Sequence, residues 1–368
     1  MNEIKTINAL GLMSKSSLDG ITTALIATDG VDIYDTYSQE TTPYDDELRE
    51  KISKVRGLRP EDSEEANKRL LEVEQELTEF HAKVANEFIS SSEKKVDIIG
   101  FRGHTTFRDP ANHYINEIGS GKLLANLTKI DVINSFSRAD IFAGGQGGPL
   151  YPAFHDALCR NFEKPVAVLT IGGTTSLTWL DKNGEMIAFE TGPGTAQIND
   201  WVYKKGGQIM DYNGKLAITG TIDEKIVATL MRHKYFAKYP PKTADIRMFN
   251  DKLEHLSGLS LEDGAATVTA FVAESVAYAV NFYLPEQPKE LIICGGGAKN
   301  PTLSRFIRQR LNNTEIKTGF DIGWDNESIE AQAFAYLAVR RLYNMPATFP
   351  STTGAFEPII CGQIHKPE

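Results

Sequence analysis

The chain of 368 residues is poor in cysteine: Cys159, Cys294 and Cys361 are its three, far apart and odd in number. No C-x-x-C pair occurs, so neither a disulfide framework nor a zinc site of that spacing is expected, and the usage suits a reducing compartment. Basic charge is also in deficit, with 39 Lys and Arg against 49 Asp and Glu, a net charge of −10. That balance disfavours a general nucleic-acid binder, because a phosphate backbone calls for basic surface, but it leaves room for small anions at local sites. No apolar run near 18 residues is expected, and residues 1–5 lack a charged-then-apolar leader. The expectation is a soluble, cytoplasmic protein with no membrane segment and no nucleic-acid partner. The G-x-G-x-x-G fingerprint and the G-K-[ST] ending of a P-loop are missing as well, so any nucleotide site must have another architecture.

What is present is one device used twice. Leu10-Gly11-Leu12-Met13-Ser14-Lys15-Ser16-Ser17-Leu18-Asp19-Gly20 and Val168-Leu169-Thr170-Ile171-Gly172-Gly173-Thr174-Thr175-Ser176-Leu177 each run from an apolar strand into small, hydroxyl-bearing residues and glycine. A second strand follows each, at 21–27 and 177–180, closed by polar turns at Asp29-Gly30 and 181–184. Hairpins of this composition let backbone N–H groups and hydroxyls approach a phosphate unobstructed by Cβ. Their recurrence predicts a duplicated fold gripping one polyphosphate. Read singly, either is an ordinary hairpin with a Gly/Ser turn. A third cluster, Leu291-Ile292-Ile293-Cys294-Gly295-Gly296-Gly297, empties a buried-type strand into three glycines before a helix from about Leu303. Such a strand end lets the backbone lie flat against a base or sugar.

Between these clusters the pattern is mixed α/β. Leu70, Val73, Leu77, Phe80, Val84 and Phe88 recur at three-to-four spacing and predict an amphipathic helix over 63–91. A strand at 96–100, a loop over 101–110 and a turn-rich stretch over 134–152 are expected next. An Ala/Val-rich buried helix over 264–284 and a last helix over 328–343 complete the reading. No low-complexity linker divides the chain, which predicts two closely packed lobes with a cleft.

Several motifs, in order along nearly the whole chain, resemble anhydro-N-acetylmuramic acid kinases. They are Gly11-Leu12-Met13-Ser14 with Ser17-Leu18-Asp19-Gly20, Ala143-Gly144-Gly145-Gln146-Gly147 with Pro149-Leu150 and Pro152-Ala153-Phe154-His155, Thr191-Gly192-Pro193-Gly194, Cys294-Gly295-Gly296-Gly297 with Asn300-Pro301, Glu330-Ala331 and Thr353-Gly354-Ala355. The resemblance implies two ribonuclease-H-like domains of the sugar kinase and actin ATPase fold, with an interdomain cleft that closes on ATP. The expected division is 1–135 with 348–368, and 136–347. It also implies a reaction, in which ATP phosphorylates O6 of a 1,6-anhydro sugar while water opens the bridge at C1. A catalytically degenerate nucleotide- or sugar-binding relative is the alternative. Family members are often dimers, so a homodimer is an expectation of the resemblance alone, as is a place in cell-wall recycling.

Site residues follow from the same resemblance. Glu190 stands where the family motif D-T-G-P-G-N has its aspartate, thought to deprotonate the water attacking C1. Ser14, Lys15, Ser16, Ser17, Asp19, Gly20, Gly172, Gly173, Gly295, Gly296 and Gly297 are the expected nucleotide contacts, and His104, Thr105, Gly192 and Glu330 the sugar contacts. Asp19 is the expected carboxylate for a nucleotide-borne Mg²⁺, or simply part of an Asp-Gly turn. His104 reads equally as a loop hydrogen-bonder, and Glu330 equally as a helix-dipole partner. Departures from the family are also evident. Lys15 replaces a phosphate-loop glycine, where it either donates charge or obstructs the backbone. Ser135-Phe136-Ser137 replaces a D-F-R pattern whose arginine faces the sugar, with Arg138 displaced by one and Asp140 kept. Loss of a forked arginine would remove an anchor for an acidic sugar, and a neutral anhydro sugar is an expected replacement.

Overall fold

A computed structural model of the chain describes residues 5–14, 18 and 20–368. It divides into two units, Met1–Arg160 with Ser328–Glu368, and Asn161–Glu327. The first unit holds β1 (Ile7–Ser14), β2 (Ile21–Thr28), β3 (Ile33–Thr42), β4 (Ile98–Arg102), β5 (His104–Asp109), β6 (Tyr114–Ile118), β7 (Val132–Asn134) and β13 (Gln363–His365). The second holds β8 (Val166–Ile171), β9 (Thr174–Leu180), β10 (Met186–Pro193), β11 (Glu290–Cys294) and β12 (Glu315–Thr318).

The expected duplication is visible in the topology. The first sheet runs β13-β7-β4-β1-β2-β3 and the second β10-β9-β8-β11-β12. Without the appended β13, both have the first strand in the middle, two antiparallel strands on one side and two parallel strands on the other. This is the ribonuclease-H-like order, once in each unit. Both hairpins close on the same local chemistry: Asp29 Oδ1 accepts from the N–H of Val31 and Asp32 (2.8 and 2.7 Å), and Asp181 Oδ1 from those of Asn183 and Glu185 (both 2.7 Å). Asp side chains of this kind substitute for a backbone turn.

Helix Glu64–Ser91 starts at Ser63, whose hydroxyl accepts from Ala66 N–H at 3.0 Å. It lays Leu70, Val73, Leu77, Val84 and Phe88 into the core of the first unit. Helix Ile329–Leu342 returns the chain to that unit. Its backbone lies directly on β1 and β4, where a Cβ on Gly11 would stand 1.8 Å from Ala331 O and one on Gly100 2.0 Å from Phe334 O. Residues 328–347, expected in the second domain, therefore belong to the first unit, as do 136–160. Apolar periodicity places a helix but does not say which sheet it covers.

Other expectations are corrected. The stretch 101–110 is not a loop: β4 continues to Arg102 and β5 pairs with β6 in a separate two-stranded sheet. The turn-rich 134–152 contains helix Phe136–Phe142. The buried Ala/Val-rich helix expected over 264–284 is present. Helix Leu261–Tyr283 is long and apolar enough, by length and composition, to cross a membrane, but 78% of its most apolar window is buried inside the second unit. There it packs as a core helix with Val268, Val272 and Val276 fully enclosed.

Candidate functional site

In each sheet the central parallel strands end on the same side, where ligands of open α/β sheets are received. In the second unit these ends carry Gly172-Gly173 after β8, Gly295–Gly297 after β11 and Glu190 near the end of β10. The turn between β8 and β9 is only two residues long, so Thr174, Thr175 and Ser176, expected in the loop, lie in β9. Gly172 and Gly296 have open backbone: a Cβ on Gly172 would meet nothing nearer than 3.7 Å, and one on Gly296 nothing within 4 Å. Gly295 and Gly297 face inward instead, and a Cβ on either would collide with Ile171 at 2.7 and 2.4 Å. Thr170, just before the turn, has a buried hydroxyl without a hydrogen-bond partner.

Glu190 sits beside a β-bulge. It pairs with Ser176 while Gly192 pairs with Thr175, so Thr191 is the extra residue. Bulges of this kind re-aim a side chain beside a site. The Glu190 side chain is almost fully buried, and its Oε2 accepts from Ala244 N–H at 2.5 Å. Its own N–H donates to Lys242 O at 2.9 Å, and Tyr235 Oη donates to its carbonyl. Beyond the bulge the chain turns at Gly194, where a Cβ would stand 2.5 Å from Gly172 O and 2.7 Å from Gly173 O. The Thr195 N–H and hydroxyl both donate to Gly172 O at 2.9 Å, tying helix Thr195–Gly206 to the glycine turn. Gly172, Gly173, Glu190 and Gly192 are thus brought together within one unit.

The first-unit residues are placed differently. Ser14 is buried at the end of β1. Its hydroxyl accepts from Tyr44 Oη at 2.8 Å and lies 3.3 Å from His104 Nδ1. His104 is buried in β5 rather than set in a loop. Burial pushes its imidazole down to about 3, and the Arg56 and Arg102 charges add to that. The imidazole is therefore neutral, and both side chains are engaged inside the unit. Gly20 has φ +153° and abuts Thr42 O. Thr105 accepts from Arg102 Nη2 at 2.8 Å, and Glu330 Oε1 accepts from Tyr151 Oη at 2.8 Å. Lys15, Ser16, Ser17 and Asp19 lie outside the described residues.

Some site neighbours were missed at the level of sequence. Ser137, where the family has its arginine, is buried and shares the Glu117 Oε1 atom with Arg102. A guanidinium is therefore delivered to that neighbourhood from β4, while Arg138 lies exposed over the Phe142 ring at 5.5 Å. Arg102 was visible as the first residue of Arg102-Gly103-His104-Thr105, but Glu117 left no motif. Asp140 proves structural, its carboxylate accepting from Gly147 N–H (2.7 Å) and from the Thr348 and Thr353 hydroxyls (2.5 Å each).

The open backbone at Gly172 and Gly296 and the orphaned Thr170 hydroxyl fit a nucleotide. Among the described residues no group of three or more His, Cys, Asp or Glu could hold a metal, and a nucleotide-borne Mg²⁺ draws mostly on phosphate and water oxygens.

Two units of one strand order, with the glycine-rich ends of the second at a buried carboxylate, define the class: a duplicated α/β phosphotransferase of the sugar kinase and actin fold. Comparison with known proteins narrows this. The family model of anhydro-N-acetylmuramic acid kinase matches residues 7–367. Proteins of that name from Paramagnetospirillum magneticum (39% identical over 98% of this chain and 99% of the relative) and Rhodospirillum rubrum (40% over 96% and 93%) are similar throughout. The chain belongs to the anhydro-N-acetylmuramic acid kinase family.

Proposed function

We propose that this chain is an ATP-dependent kinase that opens the 1,6-anhydro bridge of anhydro-N-acetylmuramic acid and phosphorylates O6. The observation that carries the reading is the seat of Glu190: one carboxylate oxygen is fixed by Ala244 N–H, at a bulge beside the open Gly172-Gly173 turn. A carboxylate held so can take a proton from water, work worth roughly 10²- to 10⁴-fold in rate. As the water oxygen bonds to C1, the C1–O6 bond breaks and its electron pair stays on O6. O6 then bonds to the γ-phosphorus of ATP and ADP leaves. Gly172, Gly173 and Gly295–Gly297 would line the nucleotide, with the Thr170 hydroxyl as a further donor. Lys15, Ser16, Ser17 and Asp19 belong to the proposal through the resemblance alone. Mg²⁺ accompanies ATP in the proposal and would neutralise phosphate charge.

Arg102 bears on the sugar. The expectation of a neutral sugar rested on a lost arginine, and Arg102 puts a guanidinium next to Ser137, paired with Glu117. Its two terminal nitrogens already serve Glu117 and Thr105, so the acidic sugar is favoured by the family match and not by a free arginine fork. Thr105, His104, Gly192 and Glu330 stay in the proposal as sugar contacts through the resemblance alone. The test is ATP consumption with Mg²⁺ and anhydro-N-acetylmuramic acid, a neutral 1,6-anhydrohexose or no sugar, with Glu190→Gln as control. The expected result is turnover with the acidic sugar above both others, reduced at least a hundredfold in the variant. Nucleotide binding with no turnover on any sugar would instead identify a degenerate relative.

A further inference from the structure

Three hydrogen bonds tie Glu190 to one strap, residues 235–244. The Tyr235 hydroxyl donates to its carbonyl, the Lys242 carbonyl accepts its N–H at 2.9 Å, and Ala244 N–H donates to its carboxylate at 2.5 Å. Phe236 in the same strap lies under the bulge: a Cβ on Gly192, at φ +150°, would stand 3.0 Å from the Phe236 ring. The Lys242 side chain lies inside this strap. It is only 4% exposed, an uncommon place for an ammonium group. Its Nζ lies 4.2 Å from the centre of the Tyr283 ring, 4.7 Å from Tyr235 and 5.9 Å from Phe189, the residue before Glu190. It donates to Lys238 O at 2.8 Å and to Tyr235 O at 3.4 Å.

We propose that Lys242 is a positioning residue for Glu190: its ammonium, caged by Tyr283, Tyr235 and Phe189, holds the strap in the register that delivers Ala244 N–H to the carboxylate. The inference rests on the reading of Glu190 as general base. A buried ammonium is costly, and burial, with the Lys238 charge adding to it, pushes Lys242 down to about 8. An aliphatic residue would fill a core gap at less cost. The groups that offset the burial, three ring faces and two carbonyls, all belong to the strap, to β10 or to helix Leu261–Tyr283, which ends at Tyr283. The lysine therefore joins those three elements at one point, and Glu190 sits where they meet.

The experiment compares Lys242→Met and Tyr235→Phe with wild type in the full chain, reading kcat, both KM values and amide hydrogen exchange at Ala244 and Glu190. In Lys242→Met the expected result is a kcat lowered tenfold or more with both KM values within about twofold, as misplacement of one reacting group predicts. Exchange at Ala244 should quicken at the same time. Tyr235→Phe, which keeps the ring and loses one hydroxyl, should move kcat in the same direction by a smaller factor, and decides the matter if the methionine variant does not fold. Wild-type kcat in the folded variants, or wild-type exchange at Ala244 alongside a lowered kcat, would overturn the positioning role. Failure of the parent reading looks different, because Glu190→Gln would then turn over like wild type.

Discussion

Glutamate at 190 is one methylene longer than the aspartate of the family motif, and the extra reach is used: Oε2 meets Ala244 N–H at 2.5 Å. Glu190→Asp shortens the side chain and gives up that bond unless the strap follows. We expect kcat to fall ten- to a hundredfold with both KM values little changed, since a displacement of about 1 Å can cost roughly a hundredfold. A variant as active as wild type would mean that the Ala244 contact does not set the geometry. The position of Glu190 was legible in the sequence because Thr191-Gly192-Pro193-Gly194 follows it. Its surroundings were not. Tyr235 and Ala244 stand 45 and 54 residues further along the chain, and hydrogen bonds at such distances leave no spacing to read. His104 was misplaced for a related reason: its pairing with Ile118 and its contact with Ser14 bury it, and neither partner is local.

At the scale of elements, the glycines sort into two kinds that the sequence presents alike. Gly296 faces open space, and its backbone conformation is one that other residues adopt. Gly296→Ala should therefore leave thermal stability within a degree or two while raising the KM for ATP about tenfold, because the new methyl group enters the space proposed for the nucleotide. Gly194 faces two backbone carbonyl oxygens at 2.5 and 2.7 Å. Gly194→Ala should push helix Thr195–Gly206 off the Gly172-Gly173 turn, and both melting temperature and turnover should drop. Equal effects in melting and kinetic measurements on the two variants would refute the distinction. The hairpins and the long helix Glu64–Ser91 were readable because periods of two and of three to four are local. The pairing of β5 with β6 was not, because Thr105-Thr106-Phe107-Arg108 shows no clean alternation and the two strands form a sheet of their own.

At the scale of the molecule, the first unit encloses three histidines, His81, His104 and His155, which burial pushes down to about 4, 3 and 3. The unfolded chain takes up these protons near pH 6.5, whereas the folded chain refuses them until well below. The stability they contribute is thus complete above pH 6.5 and is lost as pH falls towards 3 to 4. By pH 5 the loss is of order 2 kcal/mol for each group. Urea unfolding between pH 7 and pH 4.5 should show the first unit weakening steadily, and His155→Phe should flatten the slope. A flat wild-type profile over that range would contradict the assignment.

The sequence by itself determined the family, the two hairpins and their shared closing turns, the helices with a strong apolar stripe and the position of the carboxylate. Each of these rests on residues within one turn, one strand or one motif. Only the tertiary structure decided that residues 136–160 and 328–347 join the first unit, that 104–109 forms a strand of a separate sheet, and that Tyr235, Lys242 and Ala244 meet Glu190. The physical reason is common to all three: which sheet an apolar face covers, and which distant N–H reaches a carboxylate, is set by contacts between segments far apart in the chain, and no local pattern encodes them.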